Sequence, residues 1–279
     1  MSTIDVLWLA YLNRDIDDSG TDDSVNLTIN VDGEDVLDRS FGSNSGDSEA
    51  YLNTVPQLDP PFDSATLTDS SVRIGVRGDD AWGPGDIMVF GHSLAATEVA
   101  VPLAFETELT DFMSTDPSEG PLTIPLRRVD PGNSNTVIRR ILLLVHTQWS
   151  GGGLFPGGDT GTDSAIQLEV FAGENLVLRE EIDDTSQSDL ERGTSNWYVM
   201  DSLVPFTRGE VQAGGRIVLS ILGDDAWKPQ MLFVFGLDTA SGRPNQMVSL
   251  VSRPFWGPRG MSTDTGEGDP AVTLQVTPG

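Results

Sequence analysis

The sequence is short of several residue types, and each shortage excludes a class of chemistry. None of the 279 residues is cysteine, which excludes disulfides, thiolate metal ligands and cysteine nucleophiles. No apolar run approaches the roughly 18 residues of a membrane-spanning helix. The amino-terminal stretch MSTIDVLWLAYLNRD has neither a basic segment nor a long apolar segment, so we expect no secretory signal there.

Basic residues are also scarce. The chain has 16 lysines and arginines, of which Lys228 is the single lysine, against 43 acidic residues, and its formal net charge is −27. Such a charge repels nucleic acid and anionic membranes unless cations mediate the contact. A dense acidic surface with little lysine is typical of proteins from extreme halophiles, in which salt screens the self-repulsion. Where its carboxylates converge, we expect the chain to take up divalent cations.

Three blocks of sequence recur in the same order in the two halves of the chain. GTDDSVNLTI recurs as GTDSAIQLEV, GDDAWGPGDIMVFG as GDDAWKPQMLFVFG, and MSTDPSEG as MSTDTGEG. The copies begin at Gly20 and Gly161, at Gly78 and Gly223, and at Met113 and Met261. We interpret the repeat as an internal duplication and predict two domains, residues 1–130 and 131–279, joined at the polar stretch RRVDPGNSN.

Within the repeats, apolar residues alternate with polar ones. Val25, Leu27 and Ile29 alternate with polar neighbours, and residues 72–76, 166–170 and 217–221 follow the same pattern. A period of two over short runs predicts half-buried antiparallel strands. The continuous apolar runs at 141–145 and 231–235 predict strands buried on both faces. The predicted fold is therefore all-β, with two tandem antiparallel β-sandwich domains related by internal duplication.

Acidic residues cluster around the first two blocks. A D-x-G-T-D segment begins at Asp18 in the first half and at Asp159 in the second, and a D-D-A segment follows a predicted strand at Asp79 and at Asp224. If these loops meet at one end of each sandwich, their carboxylates repel each other, and a calcium ion with six to eight oxygen ligands removes the repulsion. Aspartates also form Asx-turns without any metal, so both interpretations stay open.

The stretch D-x-GTDD-x-V-x-L-x-I and the later GDDAW-x-P block resemble the opening and the D-A-W/Y segment of the PLAT (lipoxygenase-homology) family. They are especially similar to the calcium-binding domains of clostridial alpha-toxins. The resemblance covers most of the second domain and half of the first, where FGSNSGDSEAYLNTV matches poorly. It implies one calcium site in each domain. The implied ligands are the Asp18 and Asp80 carboxylates with the Gly20 and Ala81 carbonyls, and then Asp159, Asp225, Gly161 and Ala226 in the same roles.

The resemblance also implies features beyond these main sites. The turn from Asp189 to Thr194 looks like a further turn of the family, and a second calcium site in domain two would use Thr162, Asp163, Ser188 and Asp189. In the toxin-like relatives, aromatic residues near the calcium loops enter a bilayer. The residues themselves favour packing of Trp82 and Trp227 beneath the strand that follows each of them. The third block, with Asp116, Glu119, Asp264 and Glu267, is expected to be a solvated loop or a surface contact.

One segment resembles a catalytic motif. Gly91-His92-Ser93-Leu94-Ala95 resembles a G-x-S-x-G nucleophile elbow, but its last glycine is an alanine. The equivalent place in the second half reads Gly236-Leu237-Asp238-Thr239, and neither a following helix nor a parallel sheet is predicted. We therefore expect no enzymatic activity.

The predicted function is that of a calcium-binding structural or adhesion module in a surface assembly, such as a virion decoration, turret or appendage protein of a halophilic system. We expect protein partners within the assembly, a homo-oligomer, no nucleic acid, and membrane contact only through calcium. The expected location is an extracellular surface or a virion. The alternatives are a calcium-dependent lipid- or glycan-binding protein and the accessory domain of an enzyme. The apolar segment from Pro254 to Pro258 fits a contact point and a core position equally well.

Overall fold

The computed structural model describes residues 3–31, 34–43, 46, 49–63, 71–148, 160–183, 189–240, 246–256 and 260–277. The described residues are nearly all β-structure. They divide into two compact units, one of residues 1–96 and 101–130, the other of residues 97–100 and 131–279. No described helix is long and apolar enough to cross a membrane.

The described residues up to the join between the units form strands that vary in length from two to eleven residues. They are β1 (Thr3–Ile4), β2 (Val6–Asn13), β3 (Ser24–Val31), β4 (Glu34–Ser40), β5 (Ala50–Val55), β6 (Phe62–Asp63), β7 (Ser71–Arg77), β8 (Pro84–Ser93), β9 (Ala96–Glu106), β10 (Thr123–Leu126) and β11 (Asp130–Pro131).

The remaining strands belong to the second unit, with one short helix among them. They are β12 (Val137–Thr147), β13 (Ile166–Ala172), β14 (Asn175–Ile182), β15 (Ser195–Thr207), α1 (Arg208–Gln212), β16 (Arg216–Ile221), β17 (Ala226–Trp227), β18 (Pro229–Asp238), β19 (Gln246–Arg253), β20 (Gly260–Ser262), β21 (Gly268–Asp269) and β22 (Ala271–Leu274). Thr207 begins the helix with a capping box, in which its hydroxyl and the Glu210 side chain satisfy each other's main-chain N–H groups.

Each unit contains one four-stranded antiparallel sheet and a second group of four antiparallel strands, and the strand order is the same in both units. In the first unit the orders are β10-β7-β3-β4 and β5-β2-β8-β9. In the second unit they are β22-β16-β13-β14 and β15-β12-β18-β19. Strands β3 and β13, which carry the first repeated block, occupy the same place in this order. The duplication inferred from the repeats remains a prediction.

The core of each unit contains the residues that alternate along these strands. In the first unit Val25, Leu27 and Ile29 of β3 are fully buried. In the second unit one buried cluster draws on β13 and β16 from one sheet and on β12 and β18 from the other, which is the arrangement of a sandwich. All five residues from Ile141 to Val145 are buried, which confirms the prediction of a strand buried on both faces. Met231 is half-buried, and the four residues after it are buried.

Candidate metal-binding loop junction

The three repeated blocks meet at one place in the first unit. The main chain of Trp82, in the second block, exchanges two hydrogen bonds with Met113, which begins the third. The N–H of Gly83 donates to the carbonyl of Ser19, next to the first block, at 2.9 Å. Residues that are far apart in the sequence but recur together therefore share one cluster, which we call the loop junction.

The Asp80 carboxylate joins the first block to the second. Its Oδ2 accepts the main-chain N–H of Asp22 at 2.9 Å, and its Oδ1 accepts the N–H of Ala81 at 3.0 Å. In return, the N–H of Asp80 donates to the Asp23 carboxylate at 2.6 Å. Hydrogen bonds to an ionised carboxylate are stronger than those between neutral groups, so this contact fixes both loops.

The second unit repeats the junction with one substitution. The Asp225 carboxylate accepts the N–H of Asp163 at 3.2 Å and that of Ala226 at 2.8 Å. The N–H of Asp225 donates to the Ser164 hydroxyl at 3.3 Å, so a serine stands where the first unit has Asp23. Both units thus use one aspartate to bridge the same two loops.

Glycine precedes the D-D-A segment in both units for a steric reason. A Cβ on Gly78 would overlap the Asp23 carboxylate, and a Cβ on Gly223 would overlap the Ser164 hydroxyl. Gly78 also has a φ of 144°, a conformation that L side chains rarely adopt. The first residue of the GDDAW repeat is therefore explained by the close approach of the two loops.

The structure brings together the loops that carry the predicted calcium ligands. Asp18 is exposed and has a left-handed φ of 59°, while Gly20 and Ala81 are half-buried and Asp80 is exposed. In the second unit Gly161 is buried, Ala226 is half-buried and Asp225 is exposed. Asp159 lies outside the described residues.

The predicted calcium ligands at this junction are two carboxylates and two main-chain carbonyls. Each oxygen of the Asp80 carboxylate accepts a hydrogen bond from the main chain, and a carboxylate offers about four lone-pair sites in all. The described residues contain no group of three or more histidine, aspartate or glutamate side chains that could hold a metal. Carboxylates, main-chain carbonyls and water are ligands that calcium accepts.

The structure also brings the turn after Asp189 to the first block of the second unit. The N–H of Thr162 donates to the carbonyl of Leu190 at 3.3 Å, which places the turn after Asp189 against the first block of this unit. The Tyr198 hydroxyl donates to Asp189 Oδ1 at 2.7 Å, and burial together with that carboxylate raises the pKa of Tyr198 well above its usual range. Asp163 is exposed, Asp189 is half-buried, and Ser188 lies outside the described residues.

The two tryptophans at the junctions are core residues. Trp82 and Trp227 are both 0% exposed. The indole N–H of Trp82 donates to Asn13 Oδ1 at 2.8 Å, and that of Trp227 donates to the Thr147 hydroxyl at 3.0 Å. The packing prediction is confirmed, and neither ring is available to enter a bilayer.

The third block is a turn whose first residues are buried, which sequence reasoning missed. The hydroxyl of Ser114, 1% exposed, accepts the N–H of Asp116 at 3.0 Å and donates to Glu119 at 2.8 Å. Ser262, Asp264 and Glu267 form the same contacts in the second unit. The S-T-D-x-x-E spacing could have indicated this turn, because an S/T-x-D/E pattern favours local turns. Only residues 115–119 and 263–267 are solvated, as expected of a loop.

One main-chain contact of the junction carries a basic residue in both units, but on a different side of the contact in each. In the first unit the N–H of Arg14 donates to the Gly83 carbonyl at 3.1 Å, and in the second the N–H of Gln148 donates to the Lys228 carbonyl at 3.0 Å. An arginine and a glycine are thus replaced by a glutamine and the single lysine. A Cβ on Gly83 would lie 2.6 Å from Arg14 Nη2, so the glycine leaves room for the guanidinium.

The segment that resembles a nucleophile elbow has a different geometry. Gly91, His92 and Ser93 end the antiparallel strand β8, and a two-residue turn leads directly into β9. The Ser93 hydroxyl donates to Asp5 at 2.9 Å, and His92 Nδ1 accepts the indole N–H of Trp8. The segment is therefore part of a β-hairpin, without the strand-to-helix turn that an elbow requires.

Comparison with known proteins gave no match, either to family models, to curated proteins or to solved structures.

Proposed function

We propose that the chain is a non-enzymatic, calcium-binding tandem β-sandwich protein that acts as a structural or adhesion module in a surface assembly. The observation that carries this proposal is the loop junction, in which Asp80 joins Asp22 and, in the second unit, Asp225 joins Asp163. The net charge is −27, so a divalent cation bound between exposed carboxylates would reduce their electrostatic repulsion.

In this proposal calcium has a structural role. Asp18 and Asp80 would supply carboxylates, and Gly20 and Ala81 would supply carbonyls. Bound calcium would neutralise charge between two loops that the protein's own hydrogen bonds already align. The result is a rigid sandwich end in high salt, which suits a component of a virion or cell surface in a halophilic system.

An exposed apolar site on β15 supports a role in assembly. Leu203 and Val204 are 64% and 51% exposed, and they lie where the register of β15 against β12 shifts. Asp201, two residues before them, is paired with Arg140 at 2.6 Å. Exposed apolar residues rimmed by charge are typical of protein contact surfaces.

Calcium titration by calorimetry tests the metal part of the proposal. We expect at least one calcium per unit, and the loss of one equivalent in Asp18→Asn. Asparagine tolerates the left-handed conformation of Asp18, so this variant removes charge without disturbing the main chain. Magnesium at the same concentration is the control. Equal stoichiometry in the variant and the natural chain would contradict the assigned site.

Sedimentation velocity tests the assembly part. The natural chain is expected to form oligomers in high salt with calcium, and Leu203→Asp with Val204→Asp to remain smaller. A matched pair, Glu180→Gln with Glu181→Gln, changes exposed residues of another strand and is expected to leave assembly unchanged. A monomeric natural chain at high concentration, with and without calcium, would contradict self-assembly.

A further inference from the structure

The second unit carries a small cavity beside a highly exposed aromatic ring. Phe255 is 78% exposed, the largest value among the exposed large hydrophobic residues that the structure describes. It lines a cavity of 220 Å³ with Thr97, Ser252, Arg253, Pro254 and Gln275. An exposed ring on the wall of a cavity offers a flat apolar face at little conformational cost.

The charge of this cavity is opposite to that of the chain. Arg253 is the one ionisable residue among the described residues of the lining, whereas the whole chain carries −27. None of the ion pairs within the described ranges includes Arg253. The cavity is therefore a local cationic site on an acidic protein, which favours an anionic ligand.

The guanidinium is also held in place. Arg253 lies over the Trp256 ring at 4.8 Å, and the main-chain N–H of Trp256 donates to the Gln230 carbonyl at 2.8 Å. Stacking on an aromatic face leaves the N–H groups at the edge of the guanidinium able to donate. A guanidinium fixed in this way can donate two parallel hydrogen bonds to one carboxylate.

From these observations we infer that the cavity binds an acidic saccharide, one uronic acid ring at a time. Arg253 pairs with the sugar carboxylate, and the Phe255 ring packs against the C–H face of the pyranose. The exposed Gln275 amide both donates and accepts, which suits sugar hydroxyls. The Ser252 hydroxyl donates to the Thr97 carbonyl at 2.7 Å, so it offers the sugar its lone pairs.

The size of the site favours a single sugar over a protein segment. A stable protein contact buries about 800 Å² on each partner and uses about 20–30 residues a side, whereas six residues line this cavity. A ring with one carboxylate and several hydroxyls uses every polar group named above. The site does not involve the loop junction, so this inference is independent of calcium binding.

The experiment is a saturation-transfer NMR titration of the full chain with methyl β-glucuronide and with methyl β-glucoside, in chelator. A ligand of this size is expected to bind with a dissociation constant of about 1 mM. Arg253→Gln should weaken glucuronide binding about tenfold, to the level of the neutral glucoside. Phe255→Ala should weaken both ligands about tenfold. Leu203→Ala, which truncates another exposed apolar residue of the same unit, should change neither.

Three results would overturn the inference. The first is an absence of saturable glucuronide binding up to about 20 mM, well beyond the expected constant. The second is undiminished binding to Arg253→Gln or to Phe255→Ala. The third is a loss of self-association in Phe255→Ala without any saccharide signal, which would assign Phe255 to a protein contact. Each of these results can be interpreted whether or not the chain binds calcium, because the titration is carried out in chelator.

Discussion

The carboxylate of Asp80 accepts the main-chain N–H of Asp22 at 2.9 Å, although the two residues lie in different repeated blocks. Asp225 and Asp163 form the same contact in the second unit at 3.2 Å. The aspartate of the D-D-A segment is thus a turn-forming residue and a candidate metal ligand at once. The two interpretations that the sequence left open are compatible in this geometry.

Replacement of Asp80 by alanine is expected to destabilise the first unit even in chelator. The change leaves the N–H groups of Asp22 and Ala81 without their acceptor, which should cost about 1–2 kcal/mol of unfolding free energy. Asp79→Ala is the matched control, since Asp79 is an exposed neighbour and its truncation should cost under about 0.5 kcal/mol. Urea unfolding in high salt measures both. Equal stability of the two variants would show that Asp80 does not hold the loops.

Trp82→Phe is expected to lower stability by about 2–4 kcal/mol. The ring is fully buried, and its N–H donates to Asn13, whose side chain is itself buried. The half-buried Trp256 provides the comparison, because Trp256→Phe changes a ring that is only partly buried. A second variant, in which Trp82 and Trp227 are the remaining tryptophans, reports on membrane contact. Vesicles with calcium should not shift its tryptophan fluorescence emission. A blue shift on vesicle addition would contradict the buried placement.

The two histidines predict a fall in stability under mild acid. His92 Nδ1 accepts the indole N–H of Trp8 at 3.0 Å, so the native ring is neutral. Burial lowers the pKa of His92, although Asp5 opposes part of this effect, and burial likewise lowers the pKa of His146.

An unfolded histidine titrates near pH 6.5. Below that value the unfolded chain binds protons that the native chain does not, so the free energy of unfolding should fall between about pH 6.5 and the native pKa. The slope is up to about 1.4 kcal/mol per pH unit for each histidine. His92→Asn keeps an acceptor for Trp8 and should reduce the slope by one proton, as measured by urea unfolding from pH 7 to pH 5.5. An unchanged slope would exclude His92 as its source.

The different position of the basic residue in the two units predicts a compensating pair of substitutions. Gly83→Lys should cost about 1–3 kcal/mol, because any side chain there meets the Arg14 guanidinium and Phe112. Adding Arg14→Gln reproduces the pair found in the second unit and should recover more than half of the loss. The double-mutant cycle on unfolding free energy tests this, with Arg14→Gln alone as the control. If the two losses of unfolding free energy simply add, the substitutions at positions 14 and 83 do not compensate each other.

The all-β fold could be predicted from the sequence because burial follows a period of two along the strands. Val25, Leu27 and Ile29 are all 0% exposed, as the alternation requires. The calcium interpretation assumed that the loops of the first two blocks meet, and these loops do contact each other in both units. Both successes rest on local patterns that the fold preserves.

The contacts inside the junction could not be predicted, because they depend on long-range geometry. Nothing in the sequence indicates that Asp23 and Ser164 accept the N–H groups of Asp80 and Asp225 in turn. The buried hydroxyl of Ser114 and the exposure of Phe255 are likewise set by the packing of distant segments. Sequence patterns identify a loop, but the surrounding fold decides which of its side chains are buried.

The most direct test of the central claim is thermal unfolding in high salt, with calcium, magnesium or chelator, for the natural chain and for Asp18→Asn combined with Asp159→Asn. Calcium at about a hundred times its dissociation constant should add roughly 2.7 kcal/mol per site, which corresponds to a rise in Tm of about 5–10 °C. We predict this rise for the natural chain with calcium alone and its loss in the double variant. Equal melting temperatures in calcium, magnesium and chelator, or an equal rise in the double variant, would contradict the calcium site and leave the loop junction as turn structure.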